Sequence, residues 1–442
     1  MNNMKQSVGK TPSIRFVYLL NMMPIIGLLV YYYTRYLEGT FSFIIPLGLT
    51  FAWIVLSLMT GRIKRLLFNK VCFWWMAYLF LCVMMVVIDL SSTNLNFIIS
   101  RLPIYMIPAI GYFVVRHYNL KEKKIILTAF VVIYLANLTY NIYLGFLFPG
   151  IFDEQASTEE SIEFCVLMNI ANTFFIEICY MIIGILIIVA LNIKDKGWKL
   201  LCILLITPIF YYMLFQNTRG IAILLLIIEL VGLFLAFFEP TRSEIRRPYY
   251  LFSIGILVML VFILFIPLMG WILEFIQSER LAERLNDLVD FSQSGGDVNN
   301  VREGSFTERI LLAQTSLNSF LSSPVSVFIG IGDHSQAFGG DLVKSGIGHH
   351  SEFIDVLARY GIVGAFVFFN IMKKYYLMLK KLSFERKILK YVNVLFGIII
   401  MSGVLNLLFE PNILLFMYII MPVIIELVAS KLNYTLSSNF KE

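Results

Sequence analysis

The most regular feature of the sequence is a succession of long apolar stretches separated by short polar segments. A helix needs about 20 consecutive, mainly apolar residues to cross the hydrocarbon core of a bilayer. Twelve stretches meet this condition. The pattern therefore predicts twelve membrane-spanning helices near residues 16–34, 40–59, 71–89, 98–115, 125–147, 166–192, 200–215, 220–238, 249–270, 352–371, 390–408 and 412–430.

Basic residues are concentrated in alternate connecting segments. When the N-terminus is placed in the cytoplasm, the cytoplasmic segments contain 26 of the 35 lysine and arginine residues. An excess of these residues in cytoplasmic loops is typical of membrane proteins. The distribution predicts an even number of spans, with both termini in the cytoplasm. It also explains the net charge of +6, so we expect no nucleic-acid partner.

The composition excludes two classes of protein. Hydrophobic residues make up 59% of the chain and charged residues 14%, whereas a soluble domain has roughly 25% charged residues. A soluble enzyme is therefore excluded. A disordered chain is also excluded, because such chains are poor in aromatic residues and rich in charge, while aromatic residues here reach 15%.

The spacing of the predicted spans divides the chain into three parts. Residues 1–270 hold the first nine helices, and residues 352–442 hold the last three. Between them, residues 271–351 form a large loop on the extracytoplasmic side. The predicted fold class is thus an all-α, polytopic membrane helix bundle with about 12 transmembrane helices and one large helical loop, embedded in a lipid bilayer.

The large loop contains a predicted amphipathic helix. Ser305 and Glu308 have the spacing of a capping box, and the helix should run to about Ser322, before Pro324. Arg309 lies on the flank of its apolar stripe. A tight turn with the sequence Gly330-Ile-Gly332 follows. The predicted apolar stripe consists of Phe306, Ile310, Leu317, Phe320 and Leu321.

Charged residues stand at the start of the tenth span, where Glu352, Asp355 and Arg359 fall in the first two turns. Ionisable groups in membrane helices usually face the bundle interior or a water-filled cavity, and they are candidates for function. The alternative is structural: Asp355 and Arg359 are four residues apart and could neutralise each other as a helical ion pair.

Two arginines near the predicted outer face are candidate anion ligands. Arg219 directly precedes the eighth span, whose N-terminal N–H groups would point at any ligand that the arginine binds. Arg101 lies about one turn inside the fourth span and is a candidate for the same cavity. The alternative for such residues is that they extend to the membrane interface without a chemical role.

Three motifs resemble the bacterial O-antigen and capsular polysaccharide polymerases (Wzy) and the related O-antigen ligases. The first is Thr218-Arg219-Gly220, which opens an outer helix. The second is the loop helix with Arg309, followed by a proline and Gly-x-Gly. The third has the pattern His-x-x-Phe-x-x-x-Leu-x-x-x-Gly-x-x-Gly, with His350, Phe353, Leu357, Gly361 and Gly364.

Two departures from this family pattern are visible. Ser351 stands where the family usually has asparagine after the histidine. The tryptophan-bearing stretch that follows the loop arginine in the family has no counterpart here, because the helix continues as Ile-Leu-Leu-Ala-Gln. The motif similarity covers about residues 216–220 and 305–364, and over the rest of the chain only the predicted topology agrees.

The resemblance implies glycosyl transfer at the outer face of the bacterial plasma (inner) membrane, with an undecaprenyl-pyrophosphate-linked oligosaccharide as both donor and acceptor. Arg219 and Arg309 would stabilise the pyrophosphate leaving group instead of a metal. His350 would act as a base or orient the acceptor hydroxyl. We expect no cofactor. The expected substrate-binding residues are Arg101, His349, Glu352, Asp355 and Arg359.

Several alternatives stay open at this stage. A ligase would perform the same chemistry on a different acceptor, a flippase or transporter would move the lipid-linked glycan, and a structural subunit would do neither. A zinc site formed by His334, His349 and His350 is disfavoured by the spacing of the ligands. A glycosidase-like pair of carboxylates is possible in principle, but nothing selects the pair. A chain-length regulator and a flippase are possible partner proteins.

Overall fold

A computed structural model of the protein describes residues 13–34, 44–59, 70–88, 92–148, 175–193, 195–216, 220–238, 306–332, 346–348, 350–383 and 386–439. These residues form helices and short connections, and no β-strand occurs among them. The predicted all-α class is therefore confirmed.

The first half of the chain contributes eight helices among the described residues. Helix α7 continues directly into a π-helical turn, Tyr212–Gln216. The helices are α1 (Ser13–Thr34), α2 (Ile44–Met59), α3 (Lys70–Ile88), α4 (Ser92–His117), α5 (Leu120–Leu147), α6 (Phe175–Asn192), α7 (Lys196–Tyr211) and α8 (Gly220–Phe238).

The second half begins with two helices of the predicted large loop. At its end, two α-helices are joined without a break by a π-helical segment, Phe416–Ile420. The helices are α9 (Phe306–Phe320), α10 (Pro324–Ile329), α11 (Glu352–Leu382), α12 (Arg386–Leu405), α13 (Pro411–Leu415) and α14 (Met421–Asn439).

Eleven of the twelve predicted spans coincide with described helices, and the stretch 249–270 lies outside the described residues. Six of these helices are long and apolar enough to cross a membrane, and four shorter helices are also apolar. The membrane helix bundle predicted from the sequence is thus confirmed. The first part of the predicted large loop, residues 271–305, lies outside the described part of the chain.

The surface of the bundle is apolar, as lipid contact requires. On α3, the exposed positions Phe73, Met76 and Phe80 recur at helical spacing, and Phe73 is 60% exposed. The opposite face of the same helix is buried and carries Trp75 and Cys82. A soluble helix would show polar residues on its exposed face. Both faces of α3 are apolar, which is the pattern of a helix between protein and lipid.

The segment Pro411–Ile420 forms the centre of the bundle and is buried along its whole length. Its backbone receives side-chain hydrogen bonds from other helices. The Tyr33 hydroxyl donates to the Asn412 carbonyl at 2.7 Å, and the Tyr375 hydroxyl donates to the Met417 carbonyl at 2.9 Å. A π-helical segment alters the regular hydrogen-bond ladder. The tyrosines therefore supply donors to a backbone that has no access to water.

A buried lysine joins three helices at one end of the bundle. The Lys123 ammonium donates to the Glu426 carboxylate, with the shorter contact at 2.7 Å, and to the Val115 carbonyl at 2.8 Å. Asn119 begins α5 through a capping box with Glu122, which places Lys123 in the first turn. The contacts connect α4, α5 and α14 far from the predicted large loop.

Helix α11 is interrupted at Gly361. This residue has φ of 60° and ψ of −159°, which separates a short first half from a long second half. The carbonyls of Ala358 and Arg359 accept hydrogen bonds from the N–H groups of Ile331 and Gly332 at 2.8 and 3.0 Å. The predicted Gly-x-Gly turn therefore pairs with the end of the first half of α11.

Glycine is required on both sides of this junction. Gly330 and Gly361 have positive φ, a region that other residues rarely adopt. A β-carbon on Gly330 would lie 2.2 Å from the Arg359 carbonyl, and one on Gly361 would lie 2.4 Å from the Phe328 carbonyl. The two backbones approach too closely for any side chain between them.

The loop helix is slightly shorter than predicted. The helix that was expected to reach about Ser322 ends at Phe320, and Ser323 caps a separate helix, α10, with Pro324 in its first turn. Two residues of the predicted apolar stripe, Leu317 and Leu321, are 43% and 61% exposed. Among the described side chains of α9, the buried ones are Leu312, Ser316 and Ser319.

Replacement of Gly361 by alanine should destabilise the protein. The change combines a positive φ with a close backbone contact, so we expect a loss of more than about 1 kcal/mol and a lower melting temperature in detergent. Gly397→Ala is the matched control, since a β-carbon there meets nothing within 4 Å. Alanine in a helix interior is favoured over glycine by roughly 0.5–1 kcal/mol. Equal melting temperatures for the two variants would contradict the requirement for glycine at position 361.

Candidate functional site

Four of the eight predicted site residues have described side chains, and all four lie at the start of α11. His350 is half-buried and directly precedes the helix, whereas Glu352, Asp355 and Arg359 are buried in its first two turns. Ser351 caps the helix with its hydroxyl. The structure therefore groups these residues with the two loop helices that pack against α11.

The other four predicted residues are described less completely. Arg101 and Arg309 belong to α4 and α9, but their side chains lie outside the described part of the structure. Arg219 and His349 are outside the described residues altogether, as is His334. Their roles therefore stay predictions.

Ser316 joins the loop helix α9 to the segment that carries His350. Its hydroxyl donates a hydrogen bond to Asp355 Oδ1 at 2.6 Å and accepts one from the Gly348 N–H at 2.8 Å. Asp355 Oδ2 accepts from the Ser351 N–H at 3.2 Å. One serine and one aspartate thus hold the chain on both sides of His350, because Gly348 precedes it and Ser351 follows it.

Ser319 makes a second connection one turn along α9. Its hydroxyl donates to the Gly346 carbonyl at 2.7 Å, and it accepts from the Gly346 N–H at 2.8 Å. The chain from Gly346 to Gly348 therefore runs antiparallel to α9.

Glu352 connects α11 to the link between α12 and α13. Its Oε2 accepts hydrogen bonds from the Leu408 and Phe409 N–H groups at 3.1 and 3.2 Å. The Glu352 N–H donates to the Asn406 carbonyl at 3.2 Å. Its Oε1 has no hydrogen-bond partner among the described residues. One carboxylate oxygen thus holds a non-helical link, and the other is available to a further donor.

Arg359 is close enough to Glu352 and to Tyr78, a member of a cluster of aromatic rings, to interact with both electrostatically. The Tyr78 ring packs edge-on against Tyr360 and Phe409, with centroids 5.3 and 5.2 Å apart. A guanidinium beside aromatic rings and a carboxylate combines anion binding with an apolar wall. This combination suits a lipid in which a charged head group is joined to a hydrocarbon chain.

The hydrogen bonds of Glu352 and Asp355 show that both acidic residues hold the structure together. Asp355 accepts hydrogen bonds from Ser316 and Ser351, so its carboxylate has a positioning function whether or not it also meets a substrate. The sequence did not indicate Ser316 or Ser319. The available signal was their spacing of three residues, which places two hydroxyl groups on one helical face.

One part of the chain is similar to a known protein family. Residues 204–369 match the family model described as O-Antigen ligase. No curated protein matches the chain. The matched segment includes the positions of Arg219, Arg309, the Gly-x-Gly turn and His350. The match supports the O-antigen ligase and polymerase superfamily, an integral membrane protein and a glycosyltransferase-like enzyme, without separating polymerase from ligase.

Ser316→Ala should loosen the segment before His350. The change removes a donor to a buried carboxylate and an acceptor for a buried N–H, which costs about 1–3 kcal/mol. We expect faster hydrogen–deuterium exchange in residues 346–350. Thr315→Ala is the matched control, because the Thr315 hydroxyl donates only to the Leu311 carbonyl within its own helix. Unchanged exchange in the Ser316→Ala protein would contradict the bridging role.

Proposed function

We propose that the protein is a polysaccharide polymerase of the O-antigen or capsule type. It joins undecaprenyl-pyrophosphate-linked oligosaccharide repeat units at the outer face of the bacterial plasma membrane. The observation that carries this proposal is the arrangement around His350. The chain on both sides of the half-buried His350 is held by hydrogen bonds to Ser316 of a loop helix and to Asp355, close to the buried Glu352 and Arg359, within the segment that matches the family model.

In the proposed reaction, the acceptor hydroxyl oxygen bonds to the anomeric carbon of the donor sugar. The bond between that carbon and the pyrophosphate oxygen breaks, and its electron pair stays on the lipid pyrophosphate. His350 receives the proton from the acceptor hydroxyl. Arg219 and Arg309 stabilise the charge on the leaving group in place of a metal ion.

The remaining site residues bind and orient the two substrates. Arg359 provides positive charge beside the aromatic cluster, and Glu352 Oε1 can accept a hydrogen bond from a sugar hydroxyl. Asp355 acts on substrate position through Ser316 and Ser351. Arg101 and His349 complete the proposed binding surface. The distribution of basic residues supports cytoplasmic termini and an extracytoplasmic large loop, where a flippase would deliver the substrate and a chain-length regulator could act.

The ligase is the second candidate, and the description of the matching family favours it. It would use the same donor and the same residues, but it would transfer the glycan to a different acceptor. The two candidates therefore differ in the acceptor alone.

The proposal predicts a ladder of regularly spaced products when the purified protein receives only the lipid-pyrophosphate-linked repeat unit. His350→Ala, Arg219→Ala and Arg309→Ala should abolish the ladder while the proteins remain folded in detergent, and chelation should leave it intact. His334→Ala and His117→Ala are matched controls and should retain it.

Each other outcome has a defined meaning. A normal ladder from folded His350→Ala protein would exclude the catalytic role of this histidine. A single transfer that requires a second acceptor would identify a ligase. Movement of the lipid-linked glycan across a liposome membrane, without a new glycosidic bond, would identify a flippase.

A further inference from the structure

Glu229 is an acidic residue at the middle of α8 and far along the helix from the candidate site. Helix α8 runs from Gly220 to Phe238, which places Glu229 at its centre. The side chain is fully buried, with 0% exposure. Neither of its carboxyl oxygens has a hydrogen-bond partner among the described residues. An ionisable group in this position is costly and is a candidate for function.

The carboxyl group lies against the backbone of α6 at Gly184. A β-carbon on Gly184 would be 2.0 Å from Glu229 Oε1, so the glycine leaves the space that the carboxyl group occupies. Inside an α-helix each N–H is bonded to the carbonyl four residues earlier, and only carbonyl lone pairs remain. A neighbouring helix can therefore accept a hydrogen bond from a protonated acid, but it has no free donor for a carboxylate.

The described helices that pack around Glu229 supply no nearby positive charge. Helices α6 and α8 contain no lysine or arginine. The basic residues of α12 are confined to its first turns, and Lys390 reaches the Phe237 carbonyl at 3.4 Å, two turns away from Glu229. An isolated carboxylate in an apolar interior is strongly disfavoured, and such groups normally take up a proton instead.

Polar groups lead from Glu229 towards the first turn of α6. Glu177 and Glu229 both interact electrostatically with Tyr180, which precedes Gly184 by one turn. The Tyr180 hydroxyl donates to Ser402 Oγ of α12 at 2.8 Å. The hydroxyl group of Tyr180 is thus engaged with α12, and no hydrogen bond to Glu229 is found among the described residues.

We propose that Glu229 is a proton-binding site at the centre of the bundle. It holds a neutral carboxylic acid, enclosed by apolar helices and facing the backbone of α6 at Gly184. The site is separate from the glycan chemistry, although α8 begins directly after Arg219. Its test therefore gives an answer whether or not the proposed polymerase activity is found.

Infrared spectroscopy of the full-length protein in lipid tests the protonation directly. The carbonyl stretching band of a buried protonated carboxylic acid should be present and should be lost in Glu229→Gln. The matched control is Glu426→Gln, because Glu426 is paired with Lys123 as a carboxylate. It should leave the band unchanged. A band that is equally strong in Glu229→Gln protein would overturn the proposal.

Chemical modification provides a second test on the unaltered protein, which applies even if Glu229→Gln fails to fold. Lipid-soluble dicyclohexylcarbodiimide adds the acid O–H across one of its C=N bonds, and the O-acylisourea rearranges to a stable N-acylurea. Mass spectrometry should find this adduct at Glu229 and none at Glu426. Absence of the adduct at Glu229 would overturn the proposal. Protection by sodium chloride but not by choline chloride would also overturn it, in favour of a metal-cation site.

Discussion

A break inside a membrane helix is stable only if the freed backbone groups find partners, because lipid offers none. The candidate site depends on this constraint at Gly361. The carbonyls of Ala358 and Arg359 are bonded by the turn at Gly330-Ile-Gly332, and both backbones meet at a distance that only glycine allows. The turn therefore fixes the direction of the first half of α11. That half carries Glu352, Asp355 and Arg359, so the position of the site follows from backbone pairing.

The same short segment serves stability and chemistry together. Asp355 holds α9 through Ser316, and Glu352 holds the link before α13 through two N–H groups. A substitution at either acidic residue therefore disturbs the packing as well as any contact with a substrate. Loss of activity in such variants has meaning only beside a structural measurement.

The fold was largely predictable because length and apolarity determine whether a helix can cross a membrane. The motif around Gly330, Gly332 and Gly361 was also visible, since glycine spacing is a property of the sequence. The buried face of α9 was not predictable. Hydrophobicity favours Leu317 and Leu321 as buried residues, yet the hydrogen bonds of Ser316 and Ser319 place the serines inside. Glu229 is visible in the sequence as a single acidic residue in an apolar stretch. The sequence does not show which residues of other helices lie beside it.

The centre of the bundle lies far along the sequence from several helices that pack around it. Helices α1, α4 and α6 contact the segment Pro411–Ile420, and Tyr375 of α11 donates a hydrogen bond to it, so helices synthesised earlier are completed by a much later segment. Until that segment enters the membrane, the Tyr33 hydroxyl has no access to the Asn412 carbonyl, and Lys123 has no access to Glu426. Until then, the helices synthesised earlier lack the hydrogen-bond and ion-pair partners that the later segment provides. A chain that stops before Pro411 would therefore lack the central segment, together with the partners of the Tyr33 hydroxyl and the Lys123 ammonium group.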